Sequence, residues 1–188
     1  MLITEKKLRK LVRKVLLNEG IYDPGILKAV FMAGGPGSGK SYTAKIIFGG
    51  DPKSSVAAST ATGLKLVNSD PAFEHFLKKA GIDPGELGKM SKEEFEKVTV
   101  GSESPRGKAK KLRNKAQTQY MQGRLGLVID GTGDDYKKIA AKKAALETAG
   151  YDTFMIFVNT SLDVAQERNA QRDRKLPEDL VEEIWSNV

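Results

Sequence analysis

The sequence predicts an α/β fold in which a mostly parallel sheet is flanked by helices. Two patterns along the 188 residues indicate this fold. Short apolar segments rich in β-branched residues alternate with longer amphipathic segments, and each short segment runs into glycine, asparagine or aspartate. Alternating strands and helices favour parallel strands joined by helical crossovers. Because ligands bind beyond the carboxyl ends of such strands, we expect the functional residues at these junctions.

A basic amphipathic helix is predicted over residues 1–20, where Thr4 can cap its start. Apolar residues recur at helical spacing on one face, and lysine and arginine fill the other. The apolar set is Leu8, Leu11, Val12, Val15 and Leu16, and the basic set is Lys6, Lys7, Arg9, Lys10, Arg13 and Lys14. Alone, this helix would expose its leucines, so we expect it to dock on a partner protein or on nucleic acid.

The second predicted domain spans residues 26–188 and begins with a buried strand, ILKAVFMA. A glycine loop follows, and then a helix from about Lys40 to Phe48. GLKLVNSD (63–70) is predicted as the second strand, with a helix after it. About 55 residues separate this strand from the third, more than an ordinary crossover needs, so residues 72–123 are predicted as a helical insertion.

The remaining elements continue the alternation. Within the insertion, Ser91 and Glu94 predict a capping box, and residues 105–123 a long polar helix. RLGLVIDGTG is the predicted third strand, DYKKIAAKKAALETAG a helix and YDTFMIFVNT the fourth strand. SLDVAQERNAQR is predicted as a helix within a lid over residues 161–176, and PEDLVEEIWSNV as a last helix with proline at its start.

Composition excludes some classes of protein. The chain has no cysteine, which excludes disulfides and thiolate metal sites. No run approaches the roughly 20 apolar residues that span a bilayer, so we predict a cytoplasmic protein with no membrane partner. The formal net charge of +7 fits a polyanionic ligand or partner, and it equally fits a charge carried for solubility alone.

The glycine loop matches G-x-x-x-x-G-K-[ST] through Gly34, Gly39, Lys40 and Ser41. Side chains would keep the backbone from wrapping a phosphate, which is why glycine recurs here. Successive N–H groups form an anion site at the helix start, and the lysine ammonium reaches the β- and γ-phosphates. The hydroxyl of Ser41 is predicted to bind Mg²⁺. The residues predicted to bind ATP are Gly35, Gly37, Ser38, Gly39, Lys40, Ser41 and Tyr42.

Carboxylates end the second and third strands. Asp70 lies where a general base would take the proton of an acceptor hydroxyl, and it equally suits a helix cap before proline. Asp-Pro occurs four times in the chain, so both roles stay open. Asp130 is predicted to hold Mg²⁺ through water, or to form only a turn. The neighbouring Asn68 and Thr132 are candidates for acceptor binding.

Arg168 and Arg172 lie four residues apart and are predicted to share one helix face. Like charges at this spacing destabilise a helix by about 0.2–0.5 kcal/mol, an effect that a bound anion would reverse. The planar guanidinium suits phosphate oxygens, so we predict that both act as catalytic cations. The alternative is a solvated basic face.

The insertion contains RGKAKKLRNK (106–115), which has six basic residues in ten. Arg106, Lys110 and Arg113 are the predicted acceptor-binding residues, with Tyr120 or a phenylalanine for base stacking. The alternative is again a solvated helix face.

Together these motifs resemble the P-loop kinase group that includes the 5′-hydroxyl polynucleotide kinases and the zeta-toxin kinases, over roughly residues 28–187. NSD at 68–70 is similar to the Asn-x-Asp that carries the general base in polynucleotide kinases. RNAQR (168–172) followed by KLPEDLV is similar to their lid, and IDGTG with LETAGYDTFMIFV looks like zeta-toxin strands. The resemblance implies a P-loop NTPase three-layer fold, ATP and Mg²⁺ as cofactors, Asp70 as base and two lid arginines.

The sequence departs from the polynucleotide kinases at Phe73, where they usually carry an arginine that contacts the acceptor. The first helix lies outside the resemblance and is similar to basic leader segments on some proteins of large tailed phages.

Three functions fit these patterns. The first is an ATP-dependent kinase acting on an alcohol, with a polynucleotide 5′-hydroxyl as the favoured acceptor. The second is a small-molecule kinase acting on a sugar nucleotide or a nucleoside. The third is a nucleotide-binding interaction module with little catalysis.

Overall fold

The computed structural model describes residues 26–49, 60 and 62–188. The basic helix predicted over residues 1–20, and with it the predicted protein or nucleic-acid partner of that helix, lies outside the described residues. Within the described ranges, no helix combines the length and apolar character needed to cross a bilayer.

In these ranges, four strands form a parallel sheet, as the alternation of elements predicted. The strands are β1 (Lys28–Ala33), β2 (Lys65–Val67), β3 (Leu127–Asp130) and β4 (Asp152–Phe157). Their order is β2-β3-β1-β4, and every pairing is parallel. All four carboxyl ends therefore lie along one edge of the sheet, where the predicted site residues follow.

Helices occupy the predicted positions between and after the strands. α1 (Lys40–Phe48) follows β1. The predicted insertion between β2 and β3 holds α2 (Asp70–Lys79), a 3-10 helix (Pro84–Lys89), α3 (Lys92–Thr99) and α4 (Pro105–Gln122). α5 (Tyr136–Thr148) joins β3 to β4, and α6 (Leu162–Ala170) and α7 (Glu178–Asn187) follow β4.

Side-chain caps fix several helix starts in the insertion. The Ser91 hydroxyl accepts the Glu94 N–H, and the Glu94 carboxylate accepts the Ser91 N–H at 2.9 Å, which confirms the predicted capping box. The Ser104 hydroxyl caps α4 by accepting the Gly107 N–H at 3.0 Å. Each such cap stabilises its helix by about 1 kcal/mol.

The core has three parts, which make the fold three-layered. One face of the sheet packs on α1 through Val30, Met32, Val128, Ala44 and Phe48. The other face packs on α5 and its following turn through Phe31, Leu127, Ile129, Leu146 and Tyr151. A separate cluster holds the insertion together through Phe73, Leu77, Leu87, Val98 and Ala109. Each large apolar side chain buried in this way stabilises the fold by about 1.5–3 kcal/mol.

β4 is the exposed edge of the sheet. Phe154, Met155 and Phe157 remain 53%, 53% and 54% exposed. β4 pairs with β1 on one side, and no strand in the described part of the chain pairs with its other side.

Candidate functional site

The glycine loop is shaped by close contact with α6. Gly37 has a φ of +80°, and a Cβ there would lie 2.3 Å from the backbone oxygen of Ala165. Gly39, with a φ of +98°, ends the loop directly before α1. Glycine is therefore required at position 37 both for its backbone conformation and for the close approach of α6.

Lys40 lies across the mouth of this loop. Its Nζ donates to the carbonyl oxygens of Gly34 at 2.6 Å and Gly35 at 2.9 Å. Burial lowers the pKa of Lys40; the negative charges of Asp130 and Asp70 oppose this, and Arg172 adds to it. These charges act on one ammonium, so both predicted carboxylates and one lid arginine lie within electrostatic range of the predicted lysine.

Asn68 holds the ends of β2 and β3 together. Its Nδ2 donates to Asp130 Oδ2 at 3.2 Å, and its Oδ1 accepts the N–H of Asp70 at 2.9 Å. The Gly34 N–H in turn donates to the carbonyl of Thr132 at 2.7 Å, which ties the glycine loop to the turn after β3. The three strand ends that the sequence singled out therefore meet.

Asp130 lies deep in this junction. Burial raises its pKa to about 6, although the charge of Lys40 opposes the shift. A carboxylate that holds its proton this strongly gains from a nearby cation.

Asp70 is gripped by two arginines from different elements. Arg106 of α4 donates to Asp70 Oδ1 at 2.8 Å, and Arg174 of the lid donates to Oδ2 at 2.6 Å. Burial by itself would raise the pKa of Asp70, but the charges of Arg174 and Arg106 lower it below its ordinary value. The carboxylate is therefore ionised at neutral pH.

The interpretation of Asp70 as a helix cap is wrong. Asp70 is the first residue of α2 and the preceding Ser69 makes no side-chain cap. Its carboxylate is committed to the two arginines. The contrasting case is Asp83, which also precedes a proline and does cap its helix by accepting the Gly85 N–H at 2.9 Å.

Phe73 is the platform for both arginines. The guanidinium carbons of Arg106 and Arg174 lie 5.0 and 5.6 Å from the centre of its ring. Arg174 is only 7% exposed, and its Nε lies 3.5 Å from Glu74 Oε1. The sequence placed Arg174 only within the predicted lid over residues 161–176, because nothing local indicates a partner far away in the chain.

The lid arginines occupy different positions from those predicted. Arg168 Nη1 lies 3.3 Å from the carbonyls of both Gly37 and Ser38, so it covers the glycine loop. α6 ends at Ala170, and Arg172 lies in the turn beyond it. The prediction that the two arginines share one helix face is therefore wrong, although the charge of Arg172 still acts on Lys40.

Asn169 lies between Arg168 and Arg172 in the sequence, and its side chain is buried. Its hydrogen bonds explain why α6 ends at the next residue. Its Nδ2 donates to the carbonyl of Leu176 at 2.8 Å, and its Oδ1 accepts the Leu176 N–H at 3.1 Å. These two bonds fold residues 171–176 back onto α6 and deliver Arg174 to Asp70.

Other predicted residues lie further out. Tyr120 is partly buried and packs against the core beside α5. The prediction that Tyr120 or a phenylalanine stacks on a base stays a prediction. The Thr132 hydroxyl bonds to Asp134, and Tyr42 is 70% exposed on α1. Lys110 and Arg113 follow Arg106 along α4 away from Asp70, with no bond to it.

The described residues contain no group of three or more carboxylate or histidine side chains that could by itself hold a metal ion. Ser41 and Asp130 nevertheless offer oxygen atoms, which Mg²⁺ prefers, and Mg²⁺ usually takes only one or two protein ligands beside phosphate oxygens. The buried Ser38 hydroxyl, which has no hydrogen-bond partner in the described part, gives the loop one more polar atom. These residues fit a nucleotide with Mg²⁺.

Comparison with known proteins places the fold. No protein-family model matches the chain, and no curated protein matches it. A solved structure from the Pnkp1/Rnl/Hen1 RNA repair complex is 16% identical, with a TM-score of 0.55, over 87% of this chain and 44% of that chain. A structure from the PezAT chromosomal toxin–antitoxin system of Streptococcus pneumoniae is 16% identical, with a TM-score of 0.52, over 89% of this chain and 63% of that chain.

The likeness confirms the predicted α/β fold with its parallel sheet and flanking helices. The chain spans 44% of the RNA repair structure and 63% of the toxin–antitoxin structure, so their likeness carries the fold and not an activity. Neither comparison bears on a phage origin, which stays a prediction.

Proposed function

We propose that this protein is a P-loop kinase that moves the γ-phosphate of ATP to an alcohol. One observation carries the proposal: an ionised carboxylate, Asp70, is fixed by Arg106 and Arg174 at the carboxyl end of β2, beside Asp130, and its charge acts on Lys40. A protein that only binds nucleotide has no need of this carboxylate, whereas a kinase needs a base for its acceptor.

The roles of the residues follow from their positions. The loop N–H groups and Lys40 bind the phosphates, and Ser41 and Asp130 hold Mg²⁺. ATP with Mg²⁺ supplies the phosphoryl group and part of the charge neutralisation when bound. Arg168, above the loop, and Arg172 offer guanidinium groups to the oxygens on which negative charge builds.

The acceptor hydroxyl enters beside Asp70. Its oxygen forms the new bond to the γ-phosphorus as the bond to the β–γ bridging oxygen breaks, and its proton passes to an Asp70 oxygen. Because Arg106 and Arg174 hold both oxygens, we infer that the acceptor displaces at least one of these contacts.

A polynucleotide 5′-hydroxyl is the acceptor we favour. In this chain Phe73 replaces the arginine expected after the base, and Arg106 and Arg174 bring two guanidinium groups to its ring. They offer an acceptor phosphate the bidentate contacts that guanidinium forms well. One structural neighbour comes from an RNA repair complex, which agrees with such an acceptor.

A sugar nucleotide or a nucleoside is the second candidate. Two arginines suffice for the one or two phosphates of a sugar nucleotide. The other structural neighbour comes from a toxin–antitoxin system, and its sequence identity to this chain equals that of the RNA repair structure.

The acceptor is tested with γ-labelled ATP and Mg²⁺ against a 5′-hydroxyl oligonucleotide, its 5′-phosphorylated twin, nucleosides and sugar nucleotides. Label on the 5′-hydroxyl oligonucleotide alone is the expected result. Label on a small molecule keeps the mechanism and replaces the acceptor. Nucleotide binding without transfer to any acceptor would overturn the kinase and favour an interaction module.

A further inference from the structure

We propose that a basic stripe, formed by Arg106, Lys110 and Arg113 of α4 with Lys138 and Lys142 of α5, is the track on which a single-stranded nucleic acid lies with its 5′ end at Asp70. This inference rests on the proposed function only for the chemistry at that end. It adds α5 to the predicted nucleic-acid-binding surface, and it specifies that the 5′ end of the strand lies at Asp70.

The α4 half of the stripe starts at the reacting centre. Arg106 is fixed there by its 2.8 Å bond to Asp70. Lys110 and Arg113 lie four and seven residues further along α4, so the three side chains share one helix face. At a rise of 1.5 Å per residue, this face runs about 10 Å away from Asp70.

The α5 half lies on the same side of the sheet, where Tyr120 and Met121 of α4 and Ile139 and Leu146 of α5 pack in one apolar cluster. Lys138 and Lys142 are four residues apart on α5 and share a face of that helix. The charge of Lys138 acts on Lys110, and the charge of Arg113 acts on Lys142, so the two faces lie within electrostatic range of each other. Burial lowers the pKa of Lys110, Arg113 and Lys142, and the neighbouring cations lower it further.

Three of the five cations in the stripe have no acidic partner in the described ranges, whereas Arg106 pairs with Asp70 and Lys138 with Asp135. Lys110 and Lys142 form no hydrogen bond or ion pair with any residue in the described ranges, and Arg113 bonds only to the neutral Asn114, at 3.2 and 2.8 Å. Lysines elsewhere on the same helices do have acids: Lys111 pairs with Glu103 at 2.6 Å and Lys143 with Glu147 at 2.7 Å. Like charges gathered in this way repel one another, and a bound polyanion would relieve this repulsion.

A nucleic-acid strand fits this stripe better than an acidic protein surface. The stripe begins at the carboxylate to which a terminal hydroxyl would come, and a strand has such a hydroxyl at its 5′ end. A run of about 10 Å is long enough for more than one backbone phosphate to lie along α4. A sugar nucleotide has only one or two phosphates and offers the stripe fewer charges than a longer strand does.

The test is equilibrium binding of fluorescent 5′-hydroxyl oligonucleotides of two and eight nucleotides, at several salt concentrations. We expect the double variant Lys110→Ala/Lys142→Ala to weaken binding of the octanucleotide more than tenfold, and of the dinucleotide much less. The slope of log Kobs against log salt should fall by about 1.4, or about 0.7 for each lost phosphate contact. The matched control is Lys115→Ala/Lys143→Ala, which removes two lysines from other faces of the same helices.

The outcomes separate this inference from the proposed function. Equal weakening by both double variants, or no dependence on oligonucleotide length, would overturn the track. Tight binding that depends on Lys110 and Lys142, with no phosphate transferred, would keep the track and reject the kinase. Binding of an acidic protein such as a poly-glutamate chain as tightly as the octanucleotide would also contradict it. Melting temperatures of the variants show whether each remains folded.

Discussion

At the scale of single residues, the carboxylate of Asp70 depends on two side chains that reach it from opposite directions. Arg106 comes from the insertion and Arg174 from the lid, and both lie over Phe73. The charge balance at this carboxylate sets the pH at which it can accept a proton.

Arg174→Gln should move the acidic limb of the pH profile of kcat/KM to higher pH. Asp70 has a pKa below its ordinary value because Arg174 and Arg106 outweigh its burial. With one cation removed, the pKa of Asp70 rises, and activity is lost at a higher pH as the pH falls. Arg124→Gln, on a surface turn without contact to Asp70, is the control. An acidic limb that does not move would show that Asp70 is not the group that titrates.

Asp130→Asn should stabilise the folded protein relative to the natural sequence at neutral pH. At acid pH the two proteins should be about equally stable. Burial raises the pKa of Asp130 to about 6 in the folded state. The unfolded carboxyl ionises near pH 4, so the free energy of unfolding falls between pH 4 and 6 and then stays level. Asparagine carries no such cost and can still accept the bond from Asn68.

Urea unfolding without Mg²⁺ at pH 7.5 and pH 4 measures this effect. We expect Asp130→Asn to gain on the order of 1–3 kcal/mol at pH 7.5 and close to nothing at pH 4. The same difference at both pH values would contradict the raised pKa.

Gly37→Ala should disrupt the glycine loop. Its Cβ would lie 2.3 Å from the Ala165 oxygen and 2.9 Å from the Ala165 Cα, which are both backbone atoms that cannot simply rotate away. Gly81→Ala is a matched control, since Gly81 has a φ of +75° and open space around it. We expect both to lose about 1–2 kcal/mol from backbone strain, and Gly37→Ala about 1–3 kcal/mol more from the clash. Thermal unfolding and ATP binding measure these effects. Equal losses of stability in the two variants would show that contact with α6 does not require glycine at position 37.

At the scale of elements, the turn of the lid after α6 is fixed by the side chain of Asn169. Asn169 is 3% exposed and binds both the N–H and the carbonyl of Leu176. Asn169→Ala leaves these two groups unpaired, which costs about 1–3 kcal/mol in the free energy of unfolding. Because the lid then releases Arg172 and Arg174, we also expect KM for ATP and acceptor to rise several-fold.

Gln171→Ala is the matched control for the lid. Gln171 is exposed, and its Nε2 reaches only the Glu167 side chain, at 3.3 Å. Initial rates and unfolding curves for both variants decide the question. If the two behave alike, Asn169 does not organise the lid.

The elements themselves could largely be predicted from sequence, and their ends less well. Periodicity and caps are local, so the strand–helix order and the Ser91–Glu94 capping box are as predicted. The end of α6 was misplaced, because Asn169 forms its decisive bonds with Leu176, seven residues ahead, where a tertiary turn brings the chain back. The segment RNAQR reads as helix until that turn is known.

At the scale of the whole molecule, the site depends on contacts that no local pattern encodes. Because Asn68, Asp130 and the glycine loop follow the carboxyl ends of parallel strands, they were predicted to lie together, and they do. The partners of Asp70 lie 36 and 104 residues away from it in the chain. Arg106 could be guessed from a basic run, but Arg174 could not, since its burial follows from how the insertion and lid close on Phe73.

The overall charge belongs to the same scale. The net charge of +7 is compatible with solubility alone. The basic stripe nevertheless contains three cations, Lys110, Arg113 and Lys142, without an acidic partner in the described ranges, and the proposed polyanionic acceptor would use them.

The most direct test of this account is single-turnover transfer of label from γ-labelled ATP to the best acceptor, by the natural protein and by Asp70→Asn, with ATP binding measured in parallel. We predict that Asp70→Asn lowers the rate of transfer about 10²–10⁴-fold while the Kd for ATP changes by no more than a few-fold. Transfer by Asp70→Asn at the full rate would contradict the assignment of Asp70 as the base, and with it the central claim.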